Sequence, residues 1–217
     1  MDEVEAALSR HYIAEQDTRV SADDRPEFSA LELDEDGELV GARVIGARHA
    51  GQDFSRARLV DVDLVRCDLS GCDFTEAALH RVQLHECRGT SLEVGGATWR
   101  MVTVDDCRLD DANFRGAQLE QVRFTTANCA RADFGGARLA GVTFGGSDLA
   151  AADFSNARCT DVDLRDARLD AVKGIGSLRG AIIGPDQLFG LAAGLAAAAG
   201  IAVREPDGDE PLPNLRP

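Results

Sequence analysis

QDFSRARLVDVDLVRCDLSG, residues 52–71, places a bulky apolar residue at every fifth position: Phe54, Leu59, Leu64 and Leu69. Two residues before each of the last three sits a smaller one, Ala57, Val62 and Cys67. A period of five fits neither a helix at 3.6 nor a strand at 2, and internal repetition takes precedence over either reading. In steps of twenty the pattern sharpens. One column reads Phe54, Phe74, Val94, Phe114, Phe134, Phe154; a second holds alanine from Ala57 to Ala157, and a third valine from Val62 to Val162. Four fives therefore make one turn of a coil, and the sequence predicts an all-β solenoid wound as a four-sided rod.

From Leu39 to Leu169 the frame never slips. Stacked turns spaced like strands, about 4.8 Å apart, make that stretch roughly 32 Å long. Six cysteines invite a disulfide or zinc reading, but their positions oppose it. Cys67, Cys87 and Cys107 are twenty apart and fall on small inward positions, where thiols act as small hydrophobes. No C-x-x-C or paired Cys/His spacing is present. Reduced thiols, no secretory leader at Met1-Asp2-Glu3-Val4 and no long apolar run lead to the expectation of a cytoplasmic protein without a membrane span.

The formal charge is −15, unevenly spread. Residues 1–38 hold 13 acids against three arginines, while 39–200 hold 21 acids against 18 basic residues. This balance speaks against direct nucleic-acid binding. Four segments are expected: an acidic arm over 1–25 with a short helix near 2–14; the repeat over 26–183; a C-terminal helix and strand over 184–204; and a disordered tail over 205–217. The repeat is expected to begin near Pro26, with one extra residue around 34–38 as a bulge. After Leu169 the frame breaks at Gly174, and Leu178 and Ile183 resume one residue early. Pro185 suits a first helical position and Gly200 a helix stop. Leu188, Phe189, Leu191 and Leu195 make the intervening helix unusually apolar, so it is expected to cap the rod or pair with a copy of itself through Gly190-x-x-x-Gly194. Ile201 and Val203 are expected in an added strand.

Gly89 takes a bulky slot without a side chain, and Trp99 takes another with the largest. The expectation is that the Trp99 ring fills the space beside Gly89, in keeping with native packing density. Glycines at 135, 136, 141, 145 and 146 fall on outward corners and read as turns.

The fives Ala132-Asp133-Phe134-Gly135-Gly136 and Ala152-Asp153-Phe154-Ser155-Asn156 resemble those of the pentapeptide-repeat family. The resemblance covers about residues 37–183 and implies a right-handed quadrilateral β-helix. The ending, from Asp186-Gln187-Leu188 to Gly200-Ile201-Ala202-Val203, is similar to that of the Qnr and mycobacterial quinolone-resistance members. That similarity implies a helical dimer cap and a rod that binds DNA gyrase by imitating duplex DNA. The chain departs from Qnr in lacking in-frame loop insertions, and from a strong DNA mimic in its near-neutral repeat.

No catalytic constellation fits the frame, so no enzyme activity and no cofactor are expected. His80 and His85 point outward while Cys87 points inward, and no phosphate-binding glycine loop is present. Charges sort by wall. The wall behind the phenylalanine column carries Asp53, Asp73, Glu76, Glu93, Asp133 and Asp153 against Arg56 and Arg115. The second wall is net positive through Arg58, Arg81, Arg100, Arg138 and Arg158; the third is mildly acidic and the fourth balanced. The leading expectation is a homodimeric rod whose acidic wall binds DNA gyrase or another type II topoisomerase. The alternative is a protein-interaction scaffold with a different partner.

Overall fold

The computed structural model describes residues 25–204. The helix expected near 2–14 and the tail expected from 205 lie outside the described residues. Within them the chain coils with the twenty-residue period. Seven parallel strands, β2 (Glu38–Val40) to β14 (Arg158–Thr160), stack on one wall, and seven more, β1 (Glu27–Phe28) to β13 (Thr143–Gly145), stack on the adjoining one. Leu39 pairs with Leu59, Leu59 with Leu79, and the column continues through Trp99, Leu119 and Leu139 to Cys159. The other two walls are joined by single-residue bridges, such as Asp53 to Asp73 and Arg48 to Asp68. The result is a four-sided parallel β-solenoid closed by one helix, α1 (Leu188–Ala198).

The period of five has a local cause. The corner residue of each five takes a left-handed backbone: φ is 60° at Arg56, 56° at Asp61 and 53° at Arg66. That conformation costs a non-glycine residue about 1 kcal/mol or more. On the phenylalanine wall an aspartate three residues before the corner offsets the cost. Asp53 Oδ1 accepts the Ser55 N–H and Asp153 Oδ1 the Ser155 N–H, both at 2.8 Å, while Ala57 N–H closes a β-turn on the Phe54 carbonyl at 3.0 Å. Three short extended residues and a sharp corner then repeat.

Inside, like stacks on like. Phe114 and Phe134 stack at 4.9 Å between centroids and Phe134 and Phe154 also at 4.9 Å, close to the coil spacing itself. Phe124 and Phe144 form a second stack at 4.7 Å, set edge-on to the first. Each such ring pair adds about 0.5–1.5 kcal/mol beyond burial. Phe54, Phe74 and Trp99 are buried with them.

Three expectations need correction. First, Phe28 pairs with Val44, sixteen residues on rather than twenty, so the first coil is four residues short and holds no extra residue. A tight turn shortens it: Asp34 Oδ1 accepts the N–H groups of Asp36 at 3.0 Å and Glu38 at 2.8 Å. Phe28 is left 46% exposed, and Leu31 fills the end of the core instead. Second, the space in front of Gly89 is taken by Leu109 and Leu92 rather than by Trp99; a Cβ on Gly89 would stand 2.8 Å from Leu109 Cδ2. Trp99 packs edge-on against Phe114 at 5.4 Å. Leu92, large where the same column from Cys72 to Val172 otherwise has cysteine, alanine or valine, supplies the missing volume three residues from the gap. Third, Ile201 to Val203 form no strand.

At the other end Asp163 bridges Ile182, nineteen residues on, so the coil resumes one residue early. Gly174 makes this possible. Its φ is 71°, and a Cβ there would overlap the backbone at Phe154–Ser155. Helix α1 follows a 3-10 turn at Pro185–Gln187 and buries Leu191 on the rod. Gly194 lies against Ile175 with no room for a side chain, while Gly190 faces open space. Half of the glycine pair thus serves contact with the chain's own cap.

Candidate interaction surface

The carboxylates of the first wall stand in one file. Asp53, Asp73, Glu93, Asn113, Asp133 and Asp153 bridge in succession, and Lys173 closes the file. Glu76 stands at the neighbouring corner, with φ 59°. Asp53, Glu76 and Glu93 are exposed; Asp73, Asp133 and Asp153 are half-buried. The four aspartates do two things at once. Each Oδ1 accepts the N–H two residues on, at 2.8 Å for Asp53, 2.7 Å for Asp73, 2.7 Å for Asp133 and 2.8 Å for Asp153. The other oxygen remains on the surface. Hydrogen bonds from Ser55 and Ser155 hold the Asp53 and Asp153 carboxyls below their ordinary range. Asn113 makes the same turn contact to Arg115 at 3.1 Å, so the bond needs an acceptor and not a charge.

The wall is partly neutralised by its own residues. Arg56 Nε meets Glu76 Oε2 at 3.0 Å, Arg115 Nη1 meets Asp133 Oδ2 at 3.1 Å, and Asn113 donates to Glu93 at 2.7 Å. Arg115 reaches Asp133 by crossing Gly135, where a side chain would meet its guanidinium. Sequence alone gives the file but not these contacts. The signal was present as aspartate followed two residues later by serine or threonine, in Asp53-x-Ser55, Asp73-x-Thr75 and Asp153-x-Ser155.

The third wall, opposite the first, also carries acids. Asp63 is buried and held by Arg25, Asp163 is chelated by Arg165 with its shortest contact at 2.6 Å, and Asp105 meets His85 at 3.0 Å. On the second wall Arg58 pairs with Glu38, Arg81 with Asp61 and Arg100 with Glu120.

The interior offers no chemistry of its own. Cys67 N–H donates to Cys87 Sγ at 3.4 Å and Cys87 N–H to Cys107 Sγ at 3.3 Å, each one coil on, giving the stack expected from the spacing. Hydrogen bonding with Cys107 pushes the Cys87 thiol up to about 12, and the bond to Cys87 together with burial raises that of Cys67. The same bond to Cys87 lowers the Cys107 thiol, and all three are buried in the core. Among the described residues no three His, Cys, Asp or Glu side chains converge as a metal would need, and no helix is long and apolar enough to cross a membrane.

The C-terminal end shows apolar surface. Phe189 is 88% exposed, and Leu188, Leu195, Ile201 and Val203 are exposed with it, whereas Leu191 faces the rod. No polar residue interrupts α1.

Profiles of two related families match the chain: "Pentapeptide repeat region" over residues 45–114, and "Pentapeptide repeats (8 copies)" over 105–139 and 132–170. No functionally curated protein matches it. Among solved structures it is similar to full-length QnrB1, a plasmid-mediated fluoroquinolone resistance protein, at 20% identity and a TM-score of 0.41, over 82% of this chain and 97% of that one. It is similar to HetL, a pentapeptide repeat protein involved in heterocyst differentiation regulation in the cyanobacterium Nostoc, at 21% identity and a TM-score of 0.31, over 82% and 96%. A pentapeptide repeat protein of the Arabidopsis thaliana thylakoid lumen matches at 23% identity and a TM-score of 0.23, over 58% and 70%. With its unbroken frame of fives, in-register columns and matched profiles from residue 45 to 170, the chain belongs to the pentapeptide-repeat family.

Proposed function

We propose that the rod is a non-enzymatic, cytoplasmic DNA mimic that binds DNA gyrase or another type II topoisomerase. It would thereby modulate supercoiling or protect the enzyme from antibiotics that target it. The observation that carries this reading is the single file of carboxylates from Asp53 to Asp153, one coil apart, on a rigid wall. The opposite wall is only mildly acidic, with Asp63, Asp163 and Asp105 held by Arg25, Arg165 and His85, so the first wall is the one that would face the enzyme.

Magnitudes set the character of the mimicry. Duplex DNA carries one charge per ~1.7 Å of axis, whereas the file carries at most one per ~4.8 Å. Arg56 and Arg115 lower that density further. Such a rod engages a few well-placed cations and does not reproduce the whole phosphate field. The same internal pairing is what favours the second reading, a scaffold for a different partner.

The exposed apolar group of Leu188, Phe189, Leu195, Ile201 and Val203 supports a homodimer through the C-terminal region, with Leu191 seating the helix on the rod.

The test removes charge without removing turn acceptors. Changing Asp73, Asp133 and Asp153 to Asn, and Glu76 and Glu93 to Gln, keeps every turn hydrogen bond, as Asn113 does already. Reversal to lysine would confound the result by deleting the bonds to Thr75 and Gly135. In a gyrase supercoiling assay the parent protein inhibits, and the five-fold variant needs about tenfold more protein or beyond. Equal inhibition by the folded variant discards the acidic wall; no inhibition by the parent discards gyrase and favours the scaffold.

A further inference from the structure

The second wall, net positive in the sequence, is neutralised over its lower half and not over its upper half. Below, each arginine has a carboxylate one coil away: Arg58 meets Glu38 at 2.9 Å, Arg81 meets Asp61 at 2.6 Å and Arg100 meets Glu120 at 3.0 Å. Above, Arg138 stands in register with Arg158, and both are exposed. Their strands are one coil, about 4.8 Å, apart. Neither arginine is ion-paired with a carboxylate among the described residues.

The ground around the two is bare. Ala140 and Thr160 are the next outward residues of the same strands, and Gly136 and Gly141 form the corners on either side of Arg138. A Cβ on Gly136 would meet nothing within 4 Å. Arg179 is exposed on the following coil, beside Gly180, whose Cβ would stand 3.5 Å from the Cys159 carbonyl oxygen. Two acids lie near. Glu120, one coil below Ala140, is already held by Arg100, and Asp161 stands at the corner past Thr160. Arg138, Arg158 and Arg179 against Asp161 leave this patch net positive on a chain of formal charge −15.

Like charges directly opposite each other on neighbouring strands destabilise a sheet, so packing gives no reason for the Arg138–Arg158 pair. Anion chemistry does. A carboxylate is filled by one guanidinium, as Arg81 fills both oxygens of Asp61 at 2.7 and 2.6 Å. Two guanidinium groups one coil apart suit an anion with more oxygens and a second charge. A phosphate monoester has three free oxygens and close to two negative charges at neutral pH, and an arginine can offer it two parallel N–H bonds. We propose that Arg138 and Arg158 together clamp a phosphate monoester, with the charge of Arg179 adding attraction from the coil above. The patch lies on a different wall from the acidic file, so the proposal stands apart from the gyrase reading.

The experiment titrates the full chain at low salt and follows the arginine Nε–Hε resonances by NMR. The probes are phenyl phosphate and a phosphoserine tripeptide. Both shift the Arg138 and Arg158 signals saturably, with a dissociation constant on the order of 1 mM. Equal binding of the two assigns the site to a free monoester, and tighter binding of the peptide assigns it to a phosphorylated side chain of a partner. Arg138→Gln or Arg158→Gln weakens binding about tenfold, while Arg58→Gln, which removes an arginine already paired, leaves it unchanged. Binding also weakens from about pH 8 to about pH 5, as the monoester takes up its second proton near pH 6 and the arginines stay charged. Dimethyl phosphate, with one charge and two free oxygens, binds about tenfold more weakly than the monoester. No saturable shift at Arg138 and Arg158 overturns the proposal, and so does unchanged affinity in folded Arg158→Gln. Equal affinity for dimethyl phosphate overturns it as well, since that marks a general positive field and not a clamp.

Discussion

The side-chain amide of Gln187 donates to the Leu164 carbonyl at 2.7 Å and to the Ala167 carbonyl at 2.6 Å, while its Oε1 accepts the Gly184 N–H at 2.6 Å. One residue thus satisfies two carbonyls at the open end of the last coil and fixes the start of the helix that covers it. A solenoid end without such partners leaves polar backbone unpaired under its cap. Gln187→Leu is expected to destabilise the protein by about 1–3 kcal/mol, because the Ala167 carbonyl and the Gly184 N–H lose this partner while the Leu164 carbonyl keeps only the Ala167 N–H. Chemical denaturation measures the loss, and amide exchange should show it concentrated around residues 160–185; an unchanged midpoint would count against the cap's role.

Gly89 and Leu109 form a pair in which one has given up volume to the other. Gly89→Leu should cost about 1–3 kcal/mol by overpacking. Leu109→Ala, which makes a cavity alone, should recover part of that loss when combined with it. A double-mutant cycle reads the coupling. Strictly additive effects would show that the two do not share the space.

Acid sensitivity follows from the turn aspartates and the ion pairs. Hydrogen bonding with Arg81 lowers the Asp61 carboxyl, and with Arg165 the Asp163 carboxyl; Asp53 and Asp153 are lowered by their serine contacts. A carboxyl depressed in the folded state adds stability that is fully present above its unfolded value, near 4. That stability is lost as pH falls through the lower, folded value. Melting temperature should therefore be flat near neutrality and fall below about pH 4. Asp61→Asn should flatten part of that fall. A variant whose acid profile matched the parent's would remove Asp61 from the account.

Phe189 is the most exposed large apolar side chain of the described residues. Phe189→Glu should turn a dimer into a monomer in sedimentation velocity while leaving the β-sheet circular dichroism unchanged, since within one chain the ring faces away from the rod. A parent that is monomeric at all concentrations would dispose of the C-terminal interface.

The fold was legible because the side chains that set it repeat. A column such as Ala57 to Ala157 is visible only if every coil has the same length, and equal coils stack in register. What escaped were the places where a coil changes length or where two residues trade volume. Asp34 shortens the first coil through hydrogen bonds to Asp36 and Glu38, which leave no periodic trace. Leu92 answers Gly89 from three residues away, whereas reading by columns directed attention to Trp99, half a coil off. On the surface, the file of acids was legible and its neutralisation was not. Arg115 reaches Asp133 across eighteen residues of sequence, and only because Gly135 is bare.

Imitation of DNA requires that the rod and a duplex occupy the same place on the enzyme. The direct measurement is fluorescence anisotropy of labelled rod bound to DNA gyrase, titrated with unlabelled linear duplex. The account predicts displacement, with the duplex concentration needed rising in proportion to the rod present. A stable complex holding enzyme, rod and duplex together would contradict it.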